Sequence, residues 1–195
     1  MILSSLYYRL VKYPSYKIKF GSFGYQSHIN HTIRIEKPKN IHIGRKVSVG
    51  KYAWLAANPL TGHKCRLQID DNTYIGNFAH IYCTKKITIE NSVLIADRVY
   101  ISDNQHGFRD VNTPIINQAI VQLADVTIKE GAWIGENVCI SGASVGKNSV
   151  VGANSVVTKD IPDYCIAVGA PAKIIKRFSF EKQEWLRTDA NGEFI

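Results

Sequence analysis

The chain has 195 residues, of which 45% are hydrophobic and 21% charged, and its formal net charge is +8. This length fits one domain with small appendages and is sufficient for a sizeable core. The positive excess is dispersed, with no basic block of five or more residues, so it argues against a dedicated nucleic-acid-binding stripe and favours anionic small ligands, acidic glycans or a membrane surface.

The first predicted element is a short amphipathic helix over residues 2–13, ending before Pro14. Its apolar stripe consists of Ile2, Leu3, Leu6, Tyr7, Leu10 and Val11. Two roles are open, and the first is favoured: a cap on the open end of a solenoid, or a membrane contact beside Arg9 and Lys12. The segment lacks the features of a signal peptide, and no apolar run is long enough to cross a bilayer, so we expect a cytoplasmic protein.

A six-residue repeat follows and runs through most of the chain. Aliphatic residues recur at Ile43, Val49, Leu55, Ile69, Ile75, Ile81, Ile89, Ile95, Ile101, Ile128, Ile134, Ile140, Val145, Val151 and Val157. Small or branched residues follow most of them after four places, at Val47, Ala53, Thr73, Ala79, Val93, Val99, Ala132, Val138, Ser149 and Ser155. Neither a helix nor a half-buried strand has this period. Hexapeptide repeats are typical of parallel β-helices, in which three six-residue faces make a coil of about 18 residues.

The corners between faces are predicted at Gly and Asn residues. These are Asn72, Asn77, Asn91, Asn137, Asn148 and Asn154, with Gly44, Gly50, Gly76, Gly135, Gly146 and Gly152 after core positions. Asn tolerates the positive φ that a tight corner demands. The alternative, a sandwich of evenly spaced strands, is disfavoured because its strands would alternate with period 2 and its loops would vary in length.

The repeat stops once, at Asp103-Asn104-Gln105-His106, and this interruption is where we expect the chemistry. The predicted organisation is a helical cap over 1–17, a β-helix over 18–168 with a loop inserted at 107–125, and a tail over 169–195. The tail is expected to be a short helix or an extended arm. A smaller irregularity lies between Ile140 and Val145, where the step is five residues instead of six.

The cysteines and histidines give little sign of a metal site. Cys65, Cys83, Cys139 and Cys165 form no C-x-x-C pair, and without a secretory signal they are expected to be free thiols at structural positions. No two of the six histidines are five residues apart, which sets aside the metal-binding pattern of the γ-class carbonic anhydrases among β-helices.

Several motifs accompany the repeat in a fixed order. They are I-S-D-N-Q-H-G-F at 101–108, P-I-x-x-Q at 114–118, G-A-W-I-G at 131–135, V-V-G-A-N-S-V-V-T-K-D-I-P at 150–162 and V-G-A-P-A-K-I-I-K at 168–176. Together they resemble the hexapeptide acyltransferases over about residues 30–178. Within that superfamily the chain most resembles the O-acetyltransferases of maltose, galactoside and polysaccharide, particularly those that decorate lipopolysaccharide or capsule sugars.

This resemblance implies an all-β protein built on a left-handed parallel β-helix, an exception to the usual right-handed crossover. It also implies a homotrimer with active sites between subunits, acetyl-CoA as the acetyl donor, a carbohydrate acceptor and no required metal. The identity of the sugar, the hydroxyl attacked, and whether the acceptor is free, nucleotide-linked or lipid-linked are left open.

His106 is the predicted general base. A sugar hydroxyl attacks a thioester only if a base removes its proton, and neutral imidazole suits that task. His106 lies five residues after Ile101 and matches the family's catalytic histidine. Close relatives often have Asp-His-x-His here, so the first histidine is missing, and Asp103 and Asn104 become candidates for orienting the acceptor or the imidazole.

A further acceptor-binding candidate is His80, which takes the place of the family's acceptor-binding asparagine under one placement of gaps. A purely structural interpretation, in which His80 only lines a coil face, is equally acceptable.

The predicted coenzyme site combines small and basic residues. Trp133, Gly142, Ala143, Ala153, Thr158 and Lys159 match positions that line the family's pantetheine slot, where small side chains let the thin arm approach the backbone. Lys159, Lys173 and Arg177 are candidates for neutralising coenzyme phosphates. Each has a plainer reading as coil packing or solvated charge. Two other functions stay open: an N-acetyltransferase acting on an amino sugar or other small acceptor, and a non-catalytic β-helix scaffold.

Overall fold

The computed structural model describes residues 7–189 and 191–195, so the predicted apolar positions Ile2, Leu3 and Leu6 lie outside the described residues. The chain first forms a π-helical segment, Tyr8–Lys12, which continues into helix α1, Tyr13–Lys19. The helix therefore passes Pro14, where the sequence predicted its end. Pro14 is accommodated because it lies in the first turn of α1, where proline is tolerated.

The strands follow in groups of three, and each group forms one coil. The first two coils are β1 (Ser22–Phe23), β2 (His28–Ile29), β3 (Arg34–Glu36), then β4 (Ile41–Ile43), β5 (Ser48–Val49), β6 (Trp54–Ala57). The next two are β7 (Arg66–Ile69), β8 (Tyr74–Ile75), β9 (His80–Cys83), then β10 (Lys86–Ile89), β11 (Leu94–Ile95), β12 (Tyr100–Ser102). A protruding hairpin of β13 (Asn104–His106) and β14 (Ile120–Gln122) interrupts the series. The later strands are β15 (Val126–Ile128), β16 (Trp133–Ile134), β17 (Cys139–Ser141), β18 (Val150–Val151), β19 (Val156–Val157), β20 (Cys165–Val168), β21 (Lys173–Ser179) and β22 (Glu184–Arg187). Short 3-10 helices lie at Pro38–Asn40 and Ile115–Asn117.

Each coil adds one strand to each of three parallel sheets, which form the three faces of a prism. Sheet A has the order β1-β4-β7-β10-β15, sheet B begins β2-β5-β8-β11-β16-β18-β20, and sheet C has the order β3-β6-β9-β12-β17-β19. In sheet A the last coils are joined by bridges from Ile128 to Val145 and from Val145 to Ile161. The predicted parallel β-helix is therefore present.

The interior consists of the two predicted columns. The aliphatic positions of the repeat are buried in every coil, with Ile81 registered against Leu55 on one side and Ile101 on the other. The positions four places later are buried as well, and the polar ones make hydrogen bonds: Ser149 Oγ donates to the carbonyl of Pro162 over 2.7 Å. Equivalent side chains of successive coils stack on each other. Each coil therefore buries its apolar surface only against the adjacent coils, as in other solenoids.

The corner glycines serve a different purpose from the corner asparagines. Asn72, Asn137, Asn148 and Asn154 have positive φ as predicted, whereas Asn77 and Asn91 do not, and the residues after them, Phe78 and Ser92, take that conformation instead. None of the six predicted corner glycines has positive φ. They are required by close approach: a Cβ on Gly50 would lie 2.6 Å from the backbone of Asn77 in the next coil, closer than non-bonded atoms pack.

The five-residue step between Ile140 and Val145 shortens one coil. Ile134 is registered with Val151, 17 residues later, while the earlier coils repeat after 20 residues or more. Gly142 absorbs the shortening with a φ of +59°, a left-handed conformation that glycine adopts without strain.

Residues after 168 continue as extended chain. β21 pairs antiparallel with β20, and β22 pairs antiparallel with β21, so the tail adds a hairpin to sheet B. No helix occurs in its described residues. The four cysteines are free, and Cys65 Sγ, just before β7, lies 3.5 Å from Cys83 Sγ at the end of β9. In the part of the chain that the structure describes, no helix is long and apolar enough to span a membrane.

The aliphatic column predicts the stability of core variants. Ile81→Ala, at a fully buried position, should lower the free energy of unfolding by about 2 to 5 kcal/mol, because it removes three carbons and leaves a cavity between two coils. Ile116→Ala, on a side chain 86% exposed, should change it by less than about 0.5 kcal/mol. Denaturant unfolding of both variants checks this, and equal effects would contradict the assigned column.

Candidate active site

His106 lies at the base of the hairpin that interrupts the solenoid. β13 leaves sheet C directly after β12, and His106 pairs with Ile120 of β14. The next backbone contact, from Gly107 N–H to the carbonyl of Ala119 over 2.9 Å, continues the ladder. The imidazole of His106 is exposed and therefore accessible to a ligand, although its backbone is held in the hairpin ladder.

A buried carboxylate fixes the start of this hairpin. Asp103 is fully buried, and its Oδ1 accepts hydrogen bonds from Thr84 N–H (2.8 Å), Thr84 Oγ1 (3.0 Å) and Asn104 Nδ2 (3.0 Å). Its Oδ2 accepts from the N–H groups of Lys85 and Lys86, both over 2.8 Å. Burial alone would raise the pKa of Asp103, but these hydrogen bonds hold it below the usual value. Asp103 therefore ties the hairpin to the preceding coil as an ionised carboxylate.

The second strand of the hairpin is tied to the same place. Gln122 Nε2 donates to the carbonyl of Asp103 over 2.6 Å, and Gln122 Oε1 accepts from Thr61 Oγ1 over 2.7 Å. Gln122 Oε1 also lies 3.0 Å from Thr84 Oγ1. Thr84 and Gln122 were not predicted from the sequence. They lie 38 residues apart with no motif in common, and only the fold brings them together.

The predicted roles of Asp103 and Asn104 differ in the structure. Asp103 has no exposed surface, so direct contact with an acceptor, one of its two predicted roles, is excluded in this conformation; it orients the hairpin that carries the imidazole. Asn104 is 8% exposed and uses Nδ2 to donate to Asp103 and to the carbonyl of Tyr82 over 3.1 Å. Its contact with an acceptor stays a prediction.

His80 faces outward from sheet C within an aromatic row. Its ring stacks on Trp54 with centroids 4.2 Å apart and meets Tyr100 edge-on at 5.2 Å. Burial lowers the pKa of His80, while the carboxylate of Glu36 acts in the opposite sense. Its Nε2 is buried and has no hydrogen-bond partner among the described residues. The position suits stacking, and its predicted part in acceptor binding stays a prediction.

A polar strip lies beside this row and was missed by the sequence reasoning. Glu36 accepts hydrogen bonds from Trp54 Nε1 (2.9 Å) and Asn58 Nδ2 (2.7 Å), and Asn58 Nδ2 is also 3.2 Å from the hydroxyl of Tyr82. The signal available was the run of aromatic residues at outward positions of successive sheet C strands. Aromatic faces next to a carboxylate and an amide can stack on and hydrogen-bond a sugar ring.

Four predicted coenzyme residues line the edge between sheets C and A. Gly142 and Ala143 follow β17, and Thr158 and Lys159 follow β19, just as Asp103 follows β12. Gly142 N–H donates to the carbonyl of Ser102 over 2.8 Å. A Cβ on Gly142 would approach Leu123 Cβ to 2.6 Å, so only glycine fits there. Ala143 is buried and serves as packing.

The other predicted coenzyme residues lie elsewhere on the protomer. Trp133 is on the outer surface of sheet B between Leu94 and Val150, and Ala153 is at the corner between sheets B and C. Lys173 and Arg177 are on β21. One protomer therefore does not bring the whole predicted set together.

Arg177 lines a cavity of about 670 Å³ at the end of the solenoid. Ser144 and Asp160 also line it, and they directly follow Ala143 and Lys159, so the cavity adjoins the edge described above. Aromatic side chains of Tyr164, Phe178 and Phe194 close its other side. Among the described residues, no group of three or more metal-ligating side chains is placed to hold a metal ion.

Comparisons with known proteins agree with this architecture. Residues 125–159 match the model of the family described as bacterial transferase hexapeptide (six repeats). A putative lipopolysaccharide biosynthesis O-acetyl transferase from Escherichia coli is 36% identical over 59% of this chain and 62% of its own length. A galactoside O-acetyltransferase from the same organism is 29% identical over 92% of this chain and 88% of its own.

The chain is similar to hexapeptide-repeat acyltransferases, through a family model that matches residues 125–159 and through relatives named as acetyltransferases. The resemblance found in the motifs is thereby confirmed. A probable acetyltransferase from Mycobacterium tuberculosis, 38% identical, is matched over 70% of this chain but 44% of its own length. The chain thus spans about half to three fifths of this relative and the lipopolysaccharide enzyme.

Solved structures of acyltransferases share the fold. A galactoside acetyltransferase in complex with coenzyme A has a TM-score of 0.60 at 25% identity, covering 92% of this chain and 74% of that one. An N-acyltransferase from Bacillus cereus, in complex with dTDP and 3-hydroxybutyryl-CoA, has a TM-score of 0.71 at 22% identity, covering 88% of this chain and 90% of that one. The second likeness concerns the fold alone.

The Asp103 anchor predicts a pH-dependent loss of stability. In Asp103→Asn an amide NH₂ would face backbone N–H donors, so the free energy of unfolding at pH 7 should fall by at least about 2 kcal/mol. The folded-state pKa of Asp103 is depressed, so its stabilisation is present above the unfolded value of about 3.9 and is lost as pH falls through the folded value. The difference between wild type and variant should therefore shrink below about pH 4.

Asp110→Asn provides the matched control. Asp110 lies on the same hairpin and accepts hydrogen bonds from Asn112 and Thr113, but it is exposed. We expect a change of less than about 0.5 kcal/mol at pH 7. Equal effects of the two substitutions, measured by denaturant unfolding between pH 3 and 7, would show that Asp103 is not an anchor.

Proposed function

We propose that the chain transfers an acetyl group from acetyl-CoA to a hydroxyl of a sugar, with His106 as the general base. The observation that carries this proposal is the exposed imidazole on a hairpin whose base is fixed by a buried carboxylate. The likeness to sugar O-acetyltransferases supports it. The first of these relatives, named for lipopolysaccharide biosynthesis, favours an acceptor of surface-polysaccharide or lipopolysaccharide biosynthesis.

The reaction follows from ordinary acid–base chemistry. His106 takes the hydroxyl proton as the sugar oxygen attacks the thioester carbonyl carbon, and the carbon–sulfur bond then breaks. The proton passes from the imidazolium to the leaving thiolate, which restores the base. Negative charge develops on the carbonyl oxygen during attack and needs a fixed donor, for which we propose a backbone N–H of a neighbouring subunit's coil.

The edge between sheets C and A fits a thin coenzyme arm. Gly142 has no side chain, and Thr158 and Lys159 stand beside it on the next coil. Arg177 lines the adjoining cavity. It would bind the coenzyme phosphates together with Lys159 and Lys173. The chemistry requires no metal.

The separated residues Trp133 and Ala153 are explained by a homotrimer of left-handed β-helices. Sheet B has an apolar outer stripe of Tyr74, Leu94 and Trp133, whose exposed fractions lie between 42% and 49%. Such a stripe is suited to contact a second subunit. A threefold assembly in which this stripe meets the neighbour's edge between sheets C and A would complete the coenzyme site.

The outer surface of sheet C is suited to the acceptor. Trp54, His80 and Tyr82 provide faces for a sugar ring, and Glu36 and Asn58 provide hydrogen-bonding groups. The strip reaches the hairpin through the hydrogen bond from Asn104 to the carbonyl of Tyr82. A nucleotide-linked or lipid-linked sugar would present the same ring to these groups.

Removing the base tests the mechanism. His106→Ala should lower kcat for a hydroxyl acceptor at least about 100-fold, because the hydroxyl then keeps its proton during attack. Its free energy of unfolding should stay within about 0.5 kcal/mol of wild type, since the ring is exposed. His31→Ala, an exposed histidine on the first coil, is the control and should retain wild-type kcat. Retention of most activity by His106→Ala would exclude the proposed base.

Subunit complementation tests the shared site. His106→Ala and Trp133→Ala are each expected to be weakly active alone at low acetyl-CoA concentration. Co-expressed in equal amounts, they should form mixed trimers in which about one site in four has both wild-type residues, restoring about a quarter of wild-type activity. Activity equal to the mean of the two parents would place both residues in one protomer's site.

A further inference from the structure

The charged residues are distributed very unevenly along the solenoid. Residues 1–69 contain 12 of the 24 Lys and Arg residues but only one of the 16 acidic residues, Glu36. Residues 70–195 contain 12 basic and 15 acidic residues. Because successive coils follow chain order along the prism, the positive excess lies at the end that carries α1.

This end also exposes large apolar side chains. Leu10, Val11 and Ile18 on the helical segment, with Tyr25 and Ile33 on the first coil, are 50% to 75% exposed. In the other coils the aliphatic positions of the repeat are buried. Ile33 N–H bonds to the carbonyl of Ala53 in the next coil, where Ala53 itself is fully buried.

The exposed apolar side chains are not an unused capping face. The helix already caps the prism with its other side, on which Tyr13, Tyr16 and Phe20 pack against Phe23 with ring centroids 5.1 to 5.9 Å apart. This packing leaves Leu10 and Ile18 exposed. Their exposure needs another explanation.

Lysines surround these apolar side chains. Lys17, Lys19, Lys37 and Lys39 are exposed, and none of them is in an ion pair among the described residues. Lys39 Nζ donates to the carbonyl of Ile18 over 2.5 Å, which places a cation at the end of the helix. We call this set the basal surface: Leu10, Val11, Ile18, Tyr25 and Ile33 with Lys17, Lys19, Lys37 and Lys39.

We propose that the basal surface docks the protein on an anionic lipid membrane. Apolar side chains enter the boundary between headgroups and acyl chains while lysines meet anionic headgroups, the composition of helices that lie on membranes. A second copy of this end is disfavoured because two strongly positive surfaces repel. A nucleic acid is disfavoured because exposed Leu and Ile contribute nothing to phosphate binding.

The proposed trimer would strengthen the contact. In solenoids related by a threefold axis parallel to the prism, three basal surfaces face the same plane, so weak contacts act together. Membrane docking does not depend on the proposed catalytic residues. His106 is on the hairpin that follows β12, and its anchor is on the third and fourth coils.

Vesicle flotation tests the proposal with the full chain. Wild type should float with vesicles of phosphatidylcholine containing about a third phosphatidylglycerol, much less with phosphatidylcholine alone, and less as salt rises. Leu10→Ser/Ile18→Ser and Lys17→Glu/Lys19→Glu should each lower the partition coefficient at least tenfold. Ile116→Ser/Lys182→Glu, at exposed positions outside the basal surface, should not change it.

The outcomes separate cleanly. Equal binding to both vesicle types, or equal binding by wild type and both basal variants, would overturn the proposal. A loss of binding in the Ile116→Ser/Lys182→Glu control as large as in the basal variants would overturn it too. Unfolding temperatures, together with acetyl transfer to a soluble acceptor, show whether a variant is folded and active, so failure of the docking proposal and failure of the proposed function are read from different assays.

Discussion

The carboxylate of Asp103 is the interaction on which the proposed site depends. A solenoid that stops its repeat leaves two strands to be fixed at the interruption, and here both are tied to Asp103, one through its buried carboxylate and the other through its backbone carbonyl. Lys85, Lys86 and Thr84 of the preceding coil donate to the carboxylate, and Gln122 binds the adjacent carbonyl from the returning strand. A base on an unanchored loop would lose much of the benefit of a fixed approach to its substrate. The anchor therefore links the stability of the coil to the position of the imidazole.

The solenoid constrains everything else by stacking. Each corner passes so close to the next that Gly50 and Gly76 have no room for a side chain. The same stacking carries outward rows along each sheet, which is how aromatic residues far apart in sequence, such as Trp54, His80 and Tyr100, become neighbours. The acceptor-facing surface and the coenzyme edge are thus products of register, and a shift of one coil would misalign both.

Much of the fold was predictable because the period of six has a single structural interpretation. The columns through Ile81 and Val138, the position of the interruption after Ile101 and the shortened coil after Ile140 all follow from spacing, whereas the hairpin at 104–122 was predicted only as a loop over 107–125. The corner glycines were harder, since a sequence shows that glycine is needed but not whether conformation or close approach requires it. The end of the helix was predicted too early at Pro14, because proline also fits a first turn.

The site was less predictable because its supports are tertiary. His106 is found by its motif, but the burial of Asp103 and its bonds to Thr84 and Gln122 depend on which coil lies beneath the hairpin. The coenzyme residues matched a linear pattern, yet Trp133 lies on sheet B and Gly142 lies at the edge between sheets C and A. A linear motif does not record whether its members meet within one chain or across a subunit boundary.

The chemical nature of the product tests the central claim most directly. The protein would be incubated with acetyl-CoA labelled in the acetyl group and a panel of glycans that includes nucleotide-linked and lipid-linked sugars with free hydroxyl and amino groups. We predict that the label is found in an ester that mild alkali or hydroxylamine releases. Label held in an amide that resists both reagents, or no transfer to any member of the panel, would contradict it.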